Sequence, residues 1–452
     1  MNATLIINGS VIDGTGAAPR VESVLIIGEK IAATGAAAEV QAAQMPGVYT
    51  MDVAGCTVMP GLIDGHCHIS FDEPNSNDEL FFHRRHGLAA ITAARNARRV
   101  LQSGVTSIMD ADSIFEIGVD LRDAIEAGIT TGPRISTGGY ALWTSVGGTA
   151  GRLIPDRGVM GYGKVVAGRD EIIAEVRRQI KGGVDWIKVH VTGLVPRHPL
   201  GGEVQSWSRE ELRTVCDAAH ELGIPVLGHC RGAGAIVDCV EAGMDLILHA
   251  TLMDDRALEV LVKHRTPVMP VFTFLANLAD YGARIGADET VRGMFRREIA
   301  DSAQMLRRAY DAGVPLLCGS ESGFSITPYG DWHYREMEVF VRELGLTPLQ
   351  AIQCSTQANA FAMRMAGKVG EVLPGRLADL LVVEGNPAAD VTVLGDTARL
   401  KQVLLGGRSV DLTPDRPRRD PPGWRVSTYG ARLGKEVAAG APPPPPADLT
   451  EP

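Results

Sequence analysis

Two histidines one residue apart, His66 and His68, close an apolar run that starts at Pro60 and reads Pro-Gly-Leu-Ile-Asp-Gly-His-Cys-His. Along an extended strand side chains alternate faces, so both imidazoles point the same way and converge on one spot. Converging imidazoles suit a borderline divalent metal such as zinc. Further on, the run Val-Asp-Trp-Ile-Lys-Val-His from 184 to 190 reads as a strand. Period two puts Trp186, Lys188 and His190 on one face and Ile187 and Val189 on the other. A lysine inside a buried strand is costly unless it is paired or neutralised. Carbamylation by carbon dioxide is one solution, and it makes an anionic ligand able to bridge two metals. A lysine that snorkels to solvent is the plainer alternative. Later strand ends carry His229, His249 and, in Gly-Ser-Glu-Ser from 319 to 322, Glu321.

These residues need a scaffold that brings distant strand ends together. From residue 62 the pattern is strand, loop, helix, repeated. Strands are expected at 62–68, 106–110, 134–137, 186–191, 226–230, 246–250, 268–272 and 316–320. Helices are expected at 88–102, 169–181, 209–222, 256–264 and 291–311, with a further pair over 347–363. Gly104, Gly128, Gly223, Gly243 and Gly313 stand where a left-handed helix stop belongs. Strands alternating with helices in this number predict an α/β fold, a (β/α)8 TIM barrel, whose function sits at the C-terminal strand ends. An open doubly wound sheet is the runner-up, but no GxGxxG follows the first strand.

Residues 1–59 read as short strands between glycine turns, too few to close a core alone. A second strand-rich stretch covers 367–411. The two are expected to form one small β-sandwich domain beside a catalytic barrel at 60–366. Residues 412–452 form a tail rich in Pro, Gly and charge, and its prolines at 442–446 predict extended polyproline II.

The order His-x-His, Lys, His, His, acid resembles the amidohydrolase superfamily. So do the run Gly-Arg-Leu-Ala-Asp-Leu from 375 to 380 and the Asn386-Pro387 turn. The resemblance extends from Ile7 to about Gly407 and is nearest to the prolidase-like and imidazolonepropionase-like branch. That branch includes dipeptidases and hydrolases of urea and thiocarbamate xenobiotics. It implies two divalent ions, zinc first with manganese or cobalt as alternatives. His66 and His68 then hold one ion, His229 and His249 the other, and a carbamylated Lys188 bridges. The family's last acid is usually Asp, and Glu321 stands in its place here as the proton shuttle. The implied chemistry is hydrolysis of an amide-type C–N bond in a small, partly apolar or aromatic substrate, by water that the ions activate.

Other residues are assigned from their places at strand ends. Tyr140 is a candidate hydrogen-bond donor to the substrate carbonyl or its oxyanion. Trp143, Phe272 and Phe324, with Phe71, Phe274 and Trp332, suggest an apolar wall. His190 and His333 are candidate substrate contacts. His83, His86, His198, His220 and His264 are expected to be structural or solvated. A dipeptidase would need a cation for a free carboxylate, and Arg152, Arg157 and Arg231 are candidates. A mononuclear deaminase would leave Lys188 without a purpose, and a non-catalytic scaffold would not keep the ligand set.

Composition agrees with a soluble enzyme. The 452 residues are 45% hydrophobic and 22% charged, with a net charge of −10. That charge argues against nucleic acid or an anionic membrane as partner. No uninterrupted apolar run is long enough to span a membrane, and residues 1–9 lack a secretory pattern. Seven cysteines without CxxC spacing suggest reduced thiols and a cytoplasmic home. The expected assembly is a homo-oligomer acting on a small molecule.

Overall fold

The chain passes from its small sheets into its parallel strands at one glycine. The strand Cys56–Pro60 runs up to Gly61, and the strand Leu62–Asp64 begins directly after it. A Cβ at Gly61 would lie 2.1 Å from Oγ1 of Thr106 on the neighbouring strand Val105–Asp110, so only glycine lets the chain pass this close to it. The computed structural model describes residues 3–74, 79–80, 85–147, 154–194, 203–415 and 432–442.

The parallel strands form two arcs. One holds Leu62–Asp64, Val105–Asp110 and Arg134–Thr137. The other runs Gly163–Val165, Ala141–Trp143, Ile187–His190, Val226–Gly232, Leu246–Leu252 and Val268–Met269. Main-chain hydrogen bonds span both gaps. The N–H groups of Asp185 and Trp186 donate to the Thr137 carbonyl at 2.9 and 3.2 Å. Residues 316–318 join the far ends, where Leu317 N–H donates to Val268 and Gly65 N–H to the Cys318 carbonyl, both at 2.9 Å. No single closed sheet is assigned among the described residues, and the architecture is α/β of the TIM-barrel type.

Side-chain alternation separates two cores, as period two requires. Ile108, Ile187, Val189 and Ile247 face outward onto the helices, where they meet Val100, Leu212, Ile236 and Leu261. Met109, Trp186, Leu227, Leu246, Leu248 and Met269 pack together inside. The helices His86–Gln102, Gly168–Gly182, Arg209–His220, Asp255–His264 and Glu289–Asp311 lie within about two residues of their expected bounds. All five glycines expected to stop helices have positive φ, from 71° to 104°.

Three expected strands are shorter than the sequence suggests. The first stops at Asp64, and a bridge from Cys67 to Ser322 keeps the next residues extended. The seventh stops at Met269. Val271 turns left-handed at φ 58°, and the helix Phe272–Tyr281 starts at once. At 316–320 only the bridge between Val268 and Leu316 forms.

Strands from both chain ends share one antiparallel-rich sheet, in which Leu380–Glu384 lies between Leu400–Leu405 and Cys56–Pro60. A second sheet holds Lys30–Thr34, Val24–Ile27, Ala3–Ile7 and Tyr49–Asp52. Ile6, Val24, Ile26 and Ile31 of one sheet pack with Val11, Val58, Leu380, Val382 and Leu404 of the other. The opposite face of Leu380–Glu384, with Leu381 and Val383, joins the large core.

Part of the tail is packed, contrary to what its composition suggests. Leu433 is fully buried, its N–H donates to the Ser325 carbonyl at 2.8 Å, and its carbonyl accepts from Trp332 Nε1 at 2.9 Å. Arg432 pairs with buried Glu73. Apart from Pro442, the proline run lies outside the described residues, as do His83, His198 and Arg152.

Candidate active site

The ends of the parallel strands surround a cavity of about 670 Å³. His66, His68, His190, His229, His249, Glu321 and Phe324 line it. Parallel register sets His190 beside His229 and Cys230 beside His249. His249 and Glu321 have positive φ, 72° and 54°, as do Asp72 and Glu73 in the loop after His68. Such strained backbone is kept where surrounding structure over-determines it, commonly at functional sites. Gly319 leaves the space His66 needs, since a Cβ there would lie 2.6 Å from His66 Cβ.

The imidazoles form a continuous cluster. Ring centroids are 4.8 Å apart for His66–His68, 5.7 Å for His66–His249, 4.3 Å for His229–His249 and 4.8 Å for His190–His229. Burial, and after it the charge of Lys188, holds His66 well below the ordinary histidine range. Burial does the same to His229 and His249, with neighbouring His249 and Arg231 respectively adding to it. For His68 burial outweighs the opposing pull of Asp112, and the pKa falls to about 4. These rings are therefore neutral at pH 7, with lone pairs to offer.

A buried salt bridge lies beneath the cluster. Lys188 is fully buried, and its Nζ donates to Asp112 Oδ2 at 2.9 Å. His190 Nε2 lies 3.3 Å from Asp112 Oδ1. Burial raises the Asp112 pKa, but Lys188 and then His190 outweigh it and hold the carboxyl far below its usual range. The Asp112 carbonyl lies 3.2 Å from His68 Nδ1. An Nδ1–H donated there leaves the Nε2 lone pair free for a ligand.

The donors fit a metal ion. His66 Nε2 and His68 Nε2 are 3.2 Å apart, and two nitrogens on one tetrahedral zinc lie about 3.3 Å apart. Donor atoms of His66, His68 and Asp112 all fall within 4.8 Å of one another. His229 Nε2 and His249 Nε2 are buried and find no hydrogen-bond partner among the described residues. Buried nitrogens without a partner are costly unless something else, such as a cation, satisfies them.

Asp112 is the residue that motif spacing does not single out. The signal is present in Met-Asp-Ala-Asp at 109–112, where two acids two apart follow a buried strand. Asp110 serves differently. Burial pushes it up to about 8 although it accepts from Ile69 N–H at 3.2 Å.

Four expected contacts are placed elsewhere. The Tyr140 hydroxyl donates to Glu175 at 2.7 Å on the helix layer, away from the cavity. His333 Nδ1 lies 2.6 Å from Asp64 Oδ2, and its Nε2 accepts from Gly330 N–H, so both nitrogens are used in tying the last loop to the first strand. Trp143 is a backing residue, stacked on His190 at 3.9 Å. Phe272 is fully buried, with its N–H donated to Glu336. The apolar wall forms from three of the expected aromatics, Phe71, Phe274 and Phe324. Phe71 stacks on His68 at 4.3 Å, and Phe324 contacts both of them and Phe274. Burial raises Glu321 to about 7 despite nearby Lys188, so without cations it is not held ionised. Of the candidate carboxylate holders, Arg157 is exposed away from the lining, whereas Arg231 lines the cavity.

The chain is similar to known proteins. A model of the amidohydrolase family matches residues 57–410. Ochratoxinase of Aspergillus niger is 27% identical over 435 residues, covering 90% of this chain and 86% of that protein. The solved structure of a prolidase complexed with N-methylphosphonate-L-proline matches with TM-score 0.78 and 27% identity, covering 90% of this chain and 99% of that one. Phenylurea hydrolase B, 22% identical at TM-score 0.72 over 91% of this chain and 97% of its own, shares the fold. A family match across most of the chain, over neutral buried imidazoles grouped at strand ends, places this chain in the amidohydrolase family, within its prolidase-like branch, as a hydrolase of amide-type bonds.

Proposed function

We propose that the protein is a binuclear metal hydrolase that cleaves a C–N bond in an amide, urea or carbamate with an apolar or aromatic part. The observation that carries this is the set of buried neutral imidazoles beside the Lys188–Asp112 pair on one apolar-walled cavity. His66 and His68 would hold one ion and His229 and His249 the other, with carbamylated Lys188 between them. Zinc is the first choice, with manganese or cobalt next. When bound, such ions supply an activated water and polarise the substrate carbonyl.

The chain's own groups do the rest. Asp112 orients His68 through its carbonyl and faces His190 with its carboxylate, which also holds Lys188 while that lysine is unmodified. Phe71 and Phe324 give the substrate's apolar part a surface and keep water from it. Glu321 takes the proton released as water attacks and returns it to the departing nitrogen. Burial raises its pKa, and bound cations would pull it back toward the ionised form that accepts the proton.

The barrel over 60–366 would carry this chemistry, with a β-sandwich from 1–59 and 367–411 braced against it and a tail from 412. Seven free thiols, six of them buried, suit a reducing cytoplasmic setting, and a homo-oligomer is the assembly we favour. The test is a panel of anilides, phenylureas, carbamates, N-acyl amino acids and dipeptides, offered to protein whose metal content has been measured. No turnover of any member by protein carrying two ions would refute the reading.

A further inference from the structure

Beyond the imidazoles the cavity carries two more carboxylates and one guanidinium. Arg231 follows His229 on the strand Val226–Gly232. Glu203 lies on the short strand Glu203–Gln205, and Glu298 on the helix Glu289–Asp311. All three line the cavity.

The guanidinium is already engaged. Arg231 Nε donates to Thr251 Oγ1 at 3.0 Å, Nη1 donates to Glu203 Oε1 at 2.9 Å, and Nη2 pairs with Glu298. A substrate carboxylate arriving here meets a cation faced by two anions. It would have to displace one of them and leave it unpaired in a buried place, which is unfavourable. One acceptor, in contrast, is unpaired. The Glu203 side chain is 6% exposed, and its Oε2 is buried with no hydrogen-bond partner among the described residues. A buried carboxylate oxygen in that state favours a ligand that brings a donor.

We propose that Glu203, Arg231 and Glu298 form a specificity site that takes a neutral or cationic N–H or O–H donor on the substrate's distal group and rejects a free carboxylate. The proposal rests on the hydrolase reading above and narrows it. It turns Arg231 from a candidate carboxylate holder into a residue that positions two acids, and it separates this chain from a dipeptidase.

The experiment uses zinc-loaded full-length protein and three matched N-phenylureas that end in carboxylate, carboxamide or aminomethyl. Dissociation constants are taken from initial binding, and aniline release is followed separately. The carboxamide and aminomethyl compounds should bind at least about tenfold tighter than the carboxylate, as expected when a buried acceptor would otherwise stay unpaired. Glu203→Gln should shrink the aminomethyl preference by about tenfold with zinc content unchanged. Glu298→Gln, which frees part of Arg231, should improve carboxylate binding by a similar factor, so the proposal does not depend on one variant folding. Equal or tighter binding of the carboxylate by wild type would overturn it. So would unchanged ratios in a folded variant, or no binding of any member. Selective binding without aniline release would support this proposal and count against phenylurea hydrolysis alone, leaving the hydrolase reading to the full panel. Release with the carboxylate preferred would do the reverse.

Discussion

The Lys188–Asp112 pair can be tested without a substrate. Asp112→Asn keeps the side chain's size and leaves the backbone carbonyl beside His68 in place. It removes the only charge within hydrogen-bond reach of Lys188 among the described residues, at 2.9 Å, and also the anion 3.3 Å from His190. Lys188 has no exposed surface through which to recover hydration. Stranding one member of a buried pair costs about 3–5 kcal/mol, so chelator-stripped Asp112→Asn should lose about that much stability. Lys188→Met strands the carboxylate instead and should lose a similar amount. The double variant carries neither charge, so the two losses should not add, with a coupling of about 2–3 kcal/mol. Unfolding midpoints in urea, read with metal removed and at one pH, give the cycle. An Asp112→Asn loss below about 1 kcal/mol, or strictly additive losses, would refute the argument that this pair is a buried charge pair in the metal-free protein.

Other consequences are as direct. Glu321→Gln should keep bound metal while kcat falls about 10²-fold or more, the scale for a lost general base; near wild-type turnover with metal bound would remove Glu321 from that role. His68 predicts a pH effect in metal-free protein. Its pKa falls from 6.5 to about 4 on folding, so the unfolded chain binds the proton first and stability drops as pH falls from about 6.5 to about 4. The shift corresponds to about 3 kcal/mol. Asp110 and Glu321, both raised, act the other way, so the quantity to measure is the wild-type minus His68→Asn difference at pH 7 and pH 4. A difference that does not change with pH contradicts the shift. Leu433→Asp should free the docked tail, seen as at least about tenfold faster proteolysis after residue 415, with metal content retained; unchanged resistance would mean that Leu433 is not the anchor.

What the sequence reveals depends on whether the signal is local. His66, His68, His229 and His249 are legible because each follows a buried apolar run, and Lys188 because period two turns it to the inner face of its strand. Glycine stops and helix bounds are legible for the same reason. Tyr140 and His333 are not. Tyr140 stands in the bend just before the strand Ala141–Trp143, its partner, Glu175, lies 35 residues on, and nothing local says which way the ring turns. His333 is claimed by Asp64, 269 residues away. The docked tail is hidden in a segment whose overall composition cannot form a core, because two of its apolar residues, Leu433 and Val437, are buried against the rest of the chain. Glu73, which receives Arg432, lies in a strained loop that no local rule predicts.

The same buried polar groups explain why the strand ends are arranged as they are. Burying five imidazoles together is unfavourable if they must be charged, and burial with their mutual repulsion keeps them neutral. Neutral, they leave Nε2 atoms of His229 and His249 without partners, an expense that a stable core would not keep unless a ligand met it. Lys188 alone would be worse, and Asp112 makes it tolerable by pairing. One acid thus holds the lysine, faces His190 and, through its carbonyl, sets which nitrogen of His68 looks into the cavity. Replacing the Asp112 carboxylate should therefore disturb Lys188 and His190 together, although 76 residues of chain separate the acid from the lysine.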